Sequence, residues 1–145
     1  MTQSIIRDIE IFWSKLDTPV SPFGGDPAYE LQVRAPKKRR KELEQFGNVK
    51  EVDGVLAVNL KRYAKNAKGE EVSVDVLDGL KQPFTDLKSI GNGTKGAVKV
   101  FQYDNPRGGR PVTRLMAVQI LELVKYEVPL EVDFDAVTDA VEEDF

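Results

Sequence analysis

The sequence predicts a mainly β protein: a single OB-fold, with five or six antiparallel strands in a partly open Greek-key barrel, a short helix and a disordered acidic C-terminal tail. Three observations predict it. Short segments of alternating apolar residues recur along the chain, and glycine, proline and asparagine separate them. The 145 residues suffice for one core and contain no internal repeat. A β-sandwich is the structural alternative.

Six segments read as strands, and the first five of them have a period of two in their apolar residues. Five of them carry Ile9, Ile11 and Trp13; Tyr29, Leu31, Val33 and Ala35; Leu56, Val58 and Leu60; Val72, Val74 and Val76; and Val98 and Val100. The sixth, residues 112–126, is long and apolar, as a buried strand is. Because Trp13 and Tyr29 continue apolar stripes, we expect both in the core.

Turn residues mark the connections between these strands. Residues 66–69 predict a hairpin between strands near 54–63 and 71–77. Glycine and asparagine at 91–93 precede the fifth strand, and residues 105–109 predict a second hairpin. Helices are expected at residues 37–46 and 85–89, the first of them strongly basic.

Composition excludes several classes of chemistry. The chain has no cysteine and no histidine, so it has no disulfide, no thiolate metal site and no Ser–His or Cys–His nucleophile pair. We therefore expect no enzyme activity, no metal and no cofactor. No apolar run is long enough to span a membrane, and the first residues lack a secretory signal, which predicts a cytoplasmic protein.

The net charge of −3 conceals an asymmetry. All 21 lysines and arginines lie at or before Lys125, whereas eight of the 24 acids follow it, so the first 125 residues carry +5 and the remainder −8. A basic body attracts polyanions, and an acidic tail can compete with them. We place the domain at residues 1–126 and the tail at 127–145.

Cations and aromatic rings share the outer faces of two predicted strands. Alternation puts Lys61 and Tyr63 on one such face, and Lys99, Phe101 and Tyr103 on another. Cations for phosphates and rings for unstacked bases are what single-strand binding requires. The expected nucleic-acid-binding residues are Arg34, Lys37, Lys38, Arg39, Arg40, Lys41, Lys61, Arg62, Tyr63, Lys65, Lys95, Lys99, Phe101 and Tyr103.

The basic run at 37–41 has two interpretations. It fits a polyanion, because five adjacent cations repel one another without a counter-charge. It also fits a solvated helix face, with Lys38–Glu42 and Arg40–Glu44 pairs. Arginines 107, 110 and 114 flank a glycine-rich hairpin and could clamp a backbone or remain solvated.

Four segments resemble the small single-stranded-DNA-binding proteins of tailed bacteriophages. They are Trp13-Ser14-Lys15-Leu16-Asp17 with Pro19, Pro22 and Tyr29; Ile90-Gly91-Asn92-Gly93-Thr94-Lys95; the stretch from Leu115 to Leu123; and the end Glu142-Glu143-Asp144-Phe145. The resemblance implies an OB-fold, sequence-tolerant DNA binding, and roles in replication and recombination. It also implies a tail that recruits a polymerase or helicase through those last four residues and can occupy the DNA groove.

Other interpretations stay open at the level of sequence. The domain could instead bind RNA, and matched oligomers would decide, since only RNA has the 2′-hydroxyl. It could instead be an adaptor that uses its acidic tail, or a nuclease that uses carboxylates and Mg²⁺. An exposed strand edge would allow a homodimer, with residues 127–134 supplying an added strand.

Overall fold

The computed structural model of the chain describes residues 2–21 and 24–125. The predicted tail, including Glu142, Glu143, Asp144 and Phe145, lies outside the described residues, and so does the predicted boundary at 126–127.

The described residues form one seven-stranded sheet with a short helix. The strands are β1 Thr2–Val20, β2 Ala28–Ala35, β3 Lys50–Val52, β4 Val55–Tyr63, β5 Asp75–Leu77, β6 Thr94–Tyr103 and β7 Val112–Glu122; helix α1 is Arg40–Glu44. Turns of 3₁₀ helix cover Lys37–Arg39 and Leu87–Ser89. The strand order is β3-β4-β2-β1-β6-β7-β5, antiparallel except for β5 with β7.

The sheet curls because its strands are long and twisted. Strands β4 and β7 contact each other although they are not hydrogen-bonded neighbours, so the sheet approaches closure without completing it. This confirms the predicted mainly β, partly open OB-type fold, with seven strands in place of five or six.

Strand β1 belongs to both halves of the sheet. Its first part pairs with β6 and its second part with β2, and it bends between them at irregularities in both ladders. Asp8 and Trp13 have φ of 54° and 53° at these irregularities. Such β-bulges sharpen the twist of a strand and re-aim its side chains.

One apolar core lies inside the curled sheet. Its fully buried side chains include Ile6, Ile11, Val33, Leu56, Val58, Val98, Val100, Leu115 and Val118. Helix α1 contributes Leu43, and the turn after it contributes Phe46. Burying each large aliphatic side chain stabilises the fold by about 1.5–3 kcal/mol.

The region between β4 and β6 departs from prediction. The 66–69 turn forms, with the Gly69 N–H donating to the Asn66 carbonyl at 2.9 Å and a single bridge between Lys65 and Glu71. The predicted hairpin partner is wrong, however, because β5 pairs in parallel with β7 and not with β4. Strand β3 was not predicted, and the predicted 85–89 helix is a 3₁₀ turn.

Neither a membrane helix nor a metal-ligand cluster occurs in residues 2–21 and 24–125. No helix there is long and apolar enough to cross a membrane. No three His, Cys, Asp or Glu side chains lie close enough together to hold a metal ion.

Candidate nucleic-acid interface

Strands β1, β2 and β4 present a polar outer face. Because side chains alternate across a strand, the residues between the buried ones point outward together. Gln32 lies opposite Phe12 on one side and Asn59 on the other. In the next row Glu30 lies between Lys15 and Lys61. The rows form a continuous surface above the core.

Trp13 projects from this surface, and the prediction that it is buried is wrong. Its side chain is 57% exposed. The ladder with β2 shifts between Phe12 and Lys15, which adds one residue and reverses the alternation. The backbone N–H of Trp13 donates to the Oδ1 atom of Asn92 at 2.8 Å, which anchors the bulge.

A groove of about 810 Å³ runs from Trp13 toward β7. We call it the central groove; its polar lining includes Gln32, Asn59, Lys61, Arg110 and one acid, Glu30. The Nη1 atom of Arg110 donates to Asn48 Oδ1 at 3.1 Å, which ties the β6–β7 loop to the segment after α1. The groove thus has a ring at one end and cations along its floor and wall.

The central groove continues into a smaller cleft of about 260 Å³, which we call the aromatic cleft. Tyr63 and Tyr103 both line it, with Lys61, Lys65 and Arg114. These tyrosines lie on β4 and β6, which are not sheet neighbours, and meet because β4 approaches β7. The curvature of the sheet thus brings together the outer faces of two strands on which the sequence places cations and rings.

Cations lie over the rings of the aromatic cleft. The Nζ atom of Lys61 is 4.8 Å from the Tyr63 ring centre, and the Arg114 guanidinium is 5.1 Å from that of Tyr103. The Phe101 ring centre lies 6.1 Å from that of Tyr103, and Phe101 is only partly exposed. A cation over a ring attracts the ring face and keeps positive charge beside it.

The other predicted cations of the strands differ in position. Arg62 also lines the aromatic cleft, where its Nη1 donates to the Ser73 carbonyl at 3.0 Å. Lys99 precedes Phe101 on the outer side of β6. Lys95 lies at the far end of β6, 3.5 Å from a Glu122 carboxylate oxygen.

Arg34 is largely enclosed. Only 8% of it is exposed. Its guanidinium lies 3.8 Å from the Phe12 ring centre, and its Nε donates to Gln32 Oε1 at 2.7 Å. Its Nη1 atom lies 3.6 Å from the Oδ2 atom of Asp53. Arg34 therefore orients Phe12 and Gln32 on the outer face and leaves little surface for a ligand.

The chain's own acids compensate part of the basic run. Lys37 Nζ lies 3.4 Å from Glu51, and Arg40 lies 3.5 Å from Glu51 and 3.7 Å from Glu44. The expected pair between Arg40 and Glu44 is thus present. Lys37 also lines a cleft of about 840 Å³ with Arg34, Lys95 and the acids Asp8, Glu10 and Glu122.

The guanidinium of Arg39 is hydrogen-bonded within the fold. Its Nε and Nη2 atoms donate to the two carboxylate oxygens of Glu42, each at 2.9 Å. Its Nη1 atom donates to the Asp8 carbonyl at 2.6 Å. This hydrogen-bonded guanidinium holds the pKa of Glu42 below its ordinary value. Among residues 2–21 and 24–125, Lys38 and Lys41 make no ion pair.

Sequence patterns alone missed part of this surface. Trp13 was assigned to the core because a bulge cannot be read from alternation. Phe12 and Gln32 gave no signal, since neither differs in type from ordinary surface residues. Arg110 and Arg114 were recognised only as loop arginines; their positions beside the grooves depend on the approach of β4 to β7.

Comparison with known proteins finds solved structures of similar fold. No protein-family model and no curated protein matches the chain. The solved structure of gp2.5, a single-stranded DNA binding protein encoded by bacteriophage T7, matches with a TM-score of 0.58 and 18% identity, over 97% of this chain and 96% of that one.

A single-stranded DNA-binding protein from bacteriophage Enc34, truncated at its C-terminus, gives a TM-score of 0.58 at 16% identity, over 88% of each chain. The Enc34 protein in complex with single-stranded DNA gives 0.57 at 15% identity, over 88% of this chain and 89% of that one. This chain therefore has the fold of these bacteriophage proteins.

Proposed function

We propose that the protein binds single-stranded DNA with little regard to sequence. The observation that carries this proposal is the continuity of the central groove and the aromatic cleft, which share Lys61 and Thr113. Exposed rings stand at both ends of this combined track and cations lie between them. Flat rings accept any base, and cations follow the phosphates, so the combination is sequence-tolerant.

The rings and cations have separate roles in this proposal. Trp13, Tyr63 and Tyr103 stack unpaired bases, with Phe101 beside Tyr103. Lys61, Lys65, Arg110 and Arg114 contact the phosphate backbone. Arg62 and Arg39 support the fold around the track, while Lys38, Lys41, Lys95 and Lys99 remain predicted contacts of a longer path. The fold is shared with an Enc34 protein in complex with single-stranded DNA, which supports single-stranded DNA as the ligand.

The proposed activity is binding, with no chemical reaction and no cofactor. A protein that binds unpaired strands and not duplex removes hairpins by mass action. We propose that it protects single strands during phage DNA replication and recombination, in the cytoplasm of a bacterial host.

We further propose two roles for residues 127–145. Their eight acids compete with DNA for the cationic track, and Glu142, Glu143, Asp144 and Phe145 recruit a replication polymerase or helicase. Deleting Phe145 should abolish capture of such a partner while DNA binding persists. Homodimer formation through residues 127–134 is a separate proposal, which sedimentation of the full chain and of the chain ending at 126 would test.

The test of the central proposal is a titration of the protein with matched single-stranded DNA, duplex DNA and single-stranded RNA at two salt concentrations. We expect preference for single-stranded DNA and a log–log salt slope of about −0.7 per neutralised phosphate. An affinity for oligo-dT that does not change with salt contradicts the proposal. Equal or tighter RNA binding replaces the DNA assignment with an RNA one.

The aromatic cleft has its own test. The double variant Tyr63→Ala/Tyr103→Ala should weaken binding by about 1–3 kcal/mol for each stacked base lost. The matched control is Tyr63→Phe/Tyr103→Phe, which keeps both rings and should bind as the unmodified chain does. Unchanged affinity in the alanine variant would remove these rings from the proposed platform.

A further inference from the structure

A third cleft lies on the other side of Trp13. It has a volume of about 520 Å³, and its charged lining consists of Lys15, Lys88, Lys125 and Asp17. Trp13 lines both this cleft and the central groove. The indole therefore stands between two cationic depressions, and the surface continues past it.

Three chain segments build this third cleft and are hydrogen-bonded together. Ser14 donates to the Ile90 carbonyl at 3.5 Å, and the Gly91 N–H donates to the Val124 carbonyl at 2.7 Å. Lys125 forms a bridge with Ile90. The same turn holds the Trp13 bulge through Asn92. The positions of the lysines are thus fixed relative to the indole by the fold.

The charge of the cleft is not balanced. Three lysines face one aspartate, and all four side chains belong to exposed residues. Within the part of the chain that the structure describes, neither Lys15 nor Lys88 makes an ion pair. A flexible anionic chain that crosses Trp13 would find cations on both sides of the ring, and in each cleft these cations outnumber the acids, which are Glu30 on one side and Asp17 on the other.

We propose that the third cleft is a further phosphate-binding subsite, which extends the single-stranded DNA track beyond Trp13. This inference rests on the proposed function. A base stacked on the indole has one phosphate on each side; the central groove receives the first, and Lys15 and Lys88 receive the second. Oligonucleotides that reach past Trp13 therefore bind more tightly than those that end at it.

The test compares Lys88→Ala and Lys15→Ala/Lys88→Ala with the unmodified chain on an oligo-dT series of about 4 to 16 nucleotides, the range of OB-fold site sizes. The matched control is Lys81→Ala, an exposed lysine on a turn away from the three clefts. We expect the double variant to lose about threefold to tenfold affinity for the longest oligonucleotide and none for the shortest. Its salt slope should fall by about 0.7 per lost contact.

The outcomes separate this subsite from the proposed function. If the unmodified chain binds oligo-dT with a salt slope but the double variant matches Lys81→Ala at every length, the subsite is wrong and the track ends at Trp13. If the double variant binds DNA more tightly than the unmodified chain, the subsite is also wrong, because its lysines then hold the chain's own acidic segment. If the unmodified chain does not bind, the proposed function itself fails.

Discussion

Trp13 occupies a backbone conformation that few side chains of its size adopt. At a φ of 53° an aromatic residue is strained by about 1–3 kcal/mol, and such strain persists only where surrounding structure imposes it. Here the β1–β2 ladder and the hydrogen bond to Asn92 impose it. The result is the chain's single tryptophan held outward beside two cationic grooves.

Replacing this indole should weaken DNA binding more than it changes stability. For Trp13→Ala we expect a loss of about 1–3 kcal/mol in binding, the value of one stacked base, and little change in unfolding midpoint. Leu80→Ala, which removes another highly exposed apolar side chain, is the matched control. Equal affinities for the two variants, measured by anisotropy with labelled oligo-dT, would exclude Trp13 from the track.

The anchor of the bulge can be tested separately. Asn92→Ala removes the acceptor for the Trp13 N–H, a hydrogen bond worth about 0.5–1.5 kcal/mol. The bulge should then populate other conformations, and DNA affinity should fall although no ring and no cation is deleted. Asn92→Asp keeps the acceptor oxygen and should retain the stability of the fold, which is its readout because its charge lies in the third cleft. An alanine variant that binds as tightly as the unmodified chain would show that the ladder alone sets the bulge.

Arg39 should matter for stability and not for DNA. Arg39→Ala should cost about 1 kcal/mol or less near neutral pH, the scale of a partly exposed ion pair. Because the pKa of Glu42 is lowered in the folded state, this stabilisation is present above the ordinary carboxyl pKa and disappears as pH falls through the lowered value. Urea unfolding of both proteins at neutral pH and in acid should show a difference that narrows as the pH falls, with a remainder from the lost hydrogen bond between Arg39 and the Asp8 carbonyl. A constant difference would contradict the pairing.

At the scale of elements, the β6–β7 pair is built around one close approach. A Cβ on Gly96 would lie 2.2 Å from the Gln119 carbonyl oxygen. That oxygen is backbone and cannot move without displacing β7, which carries Arg114 to the aromatic cleft. Gly96 thus allows the two strands to come together where their register shifts.

Gly96→Ala should therefore destabilise the fold by about 1–3 kcal/mol or more, as forced overpacking does. Gly25→Ala is the matched control, because a Cβ there meets nothing within 4 Å, and we expect its effect to stay within about 0.5 kcal/mol. Denaturant unfolding of the two variants measures the difference. A Gly96→Ala protein as stable as the control would mean that β7 can shift freely.

At the level of single elements, the sequence pattern predicted the regular strands but not the irregular ones. Alternation in β4 and β6 predicted which residues face outward, and burial of Leu56, Val58, Val98 and Val100 follows that pattern. The parallel pairing of β5 and the short β3 depend on contacts between distant segments, which no local pattern encodes. The bulges in β1 break the very period that identifies a strand, so Trp13 was misplaced for a physical reason.

For the molecule as a whole, the main feature is the unequal distribution of charge between the first 125 residues and the rest of the chain. The first 125 residues carry +5 and the rest −8, so the proposed function makes DNA and the acidic tail alternative anions for the same cations. Sequence sufficed to predict this competition, since it needs only charge. It could not identify the groove, because Tyr63 and Tyr103 meet only when the sheet curls.

Removing residues 127–145 should raise DNA affinity at low salt. The gain should shrink as salt rises, because the Debye length falls from about 10 Å at 0.1 M to about 3 Å at 1 M. Titrations of the full and shortened chains across that range measure it. If the shortened chain binds no more tightly at any salt, tail competition is absent.

The emission of Trp13 tests the central claim most directly, because the chain has no other tryptophan. Excited selectively, the indole should be quenched by oligo-dT in a saturable manner, with a midpoint that moves to higher DNA concentration as salt increases, and duplex DNA should have little effect. Saturating single-stranded DNA that leaves Trp13 emission unchanged, while anisotropy shows binding, would contradict a stacking track across this face.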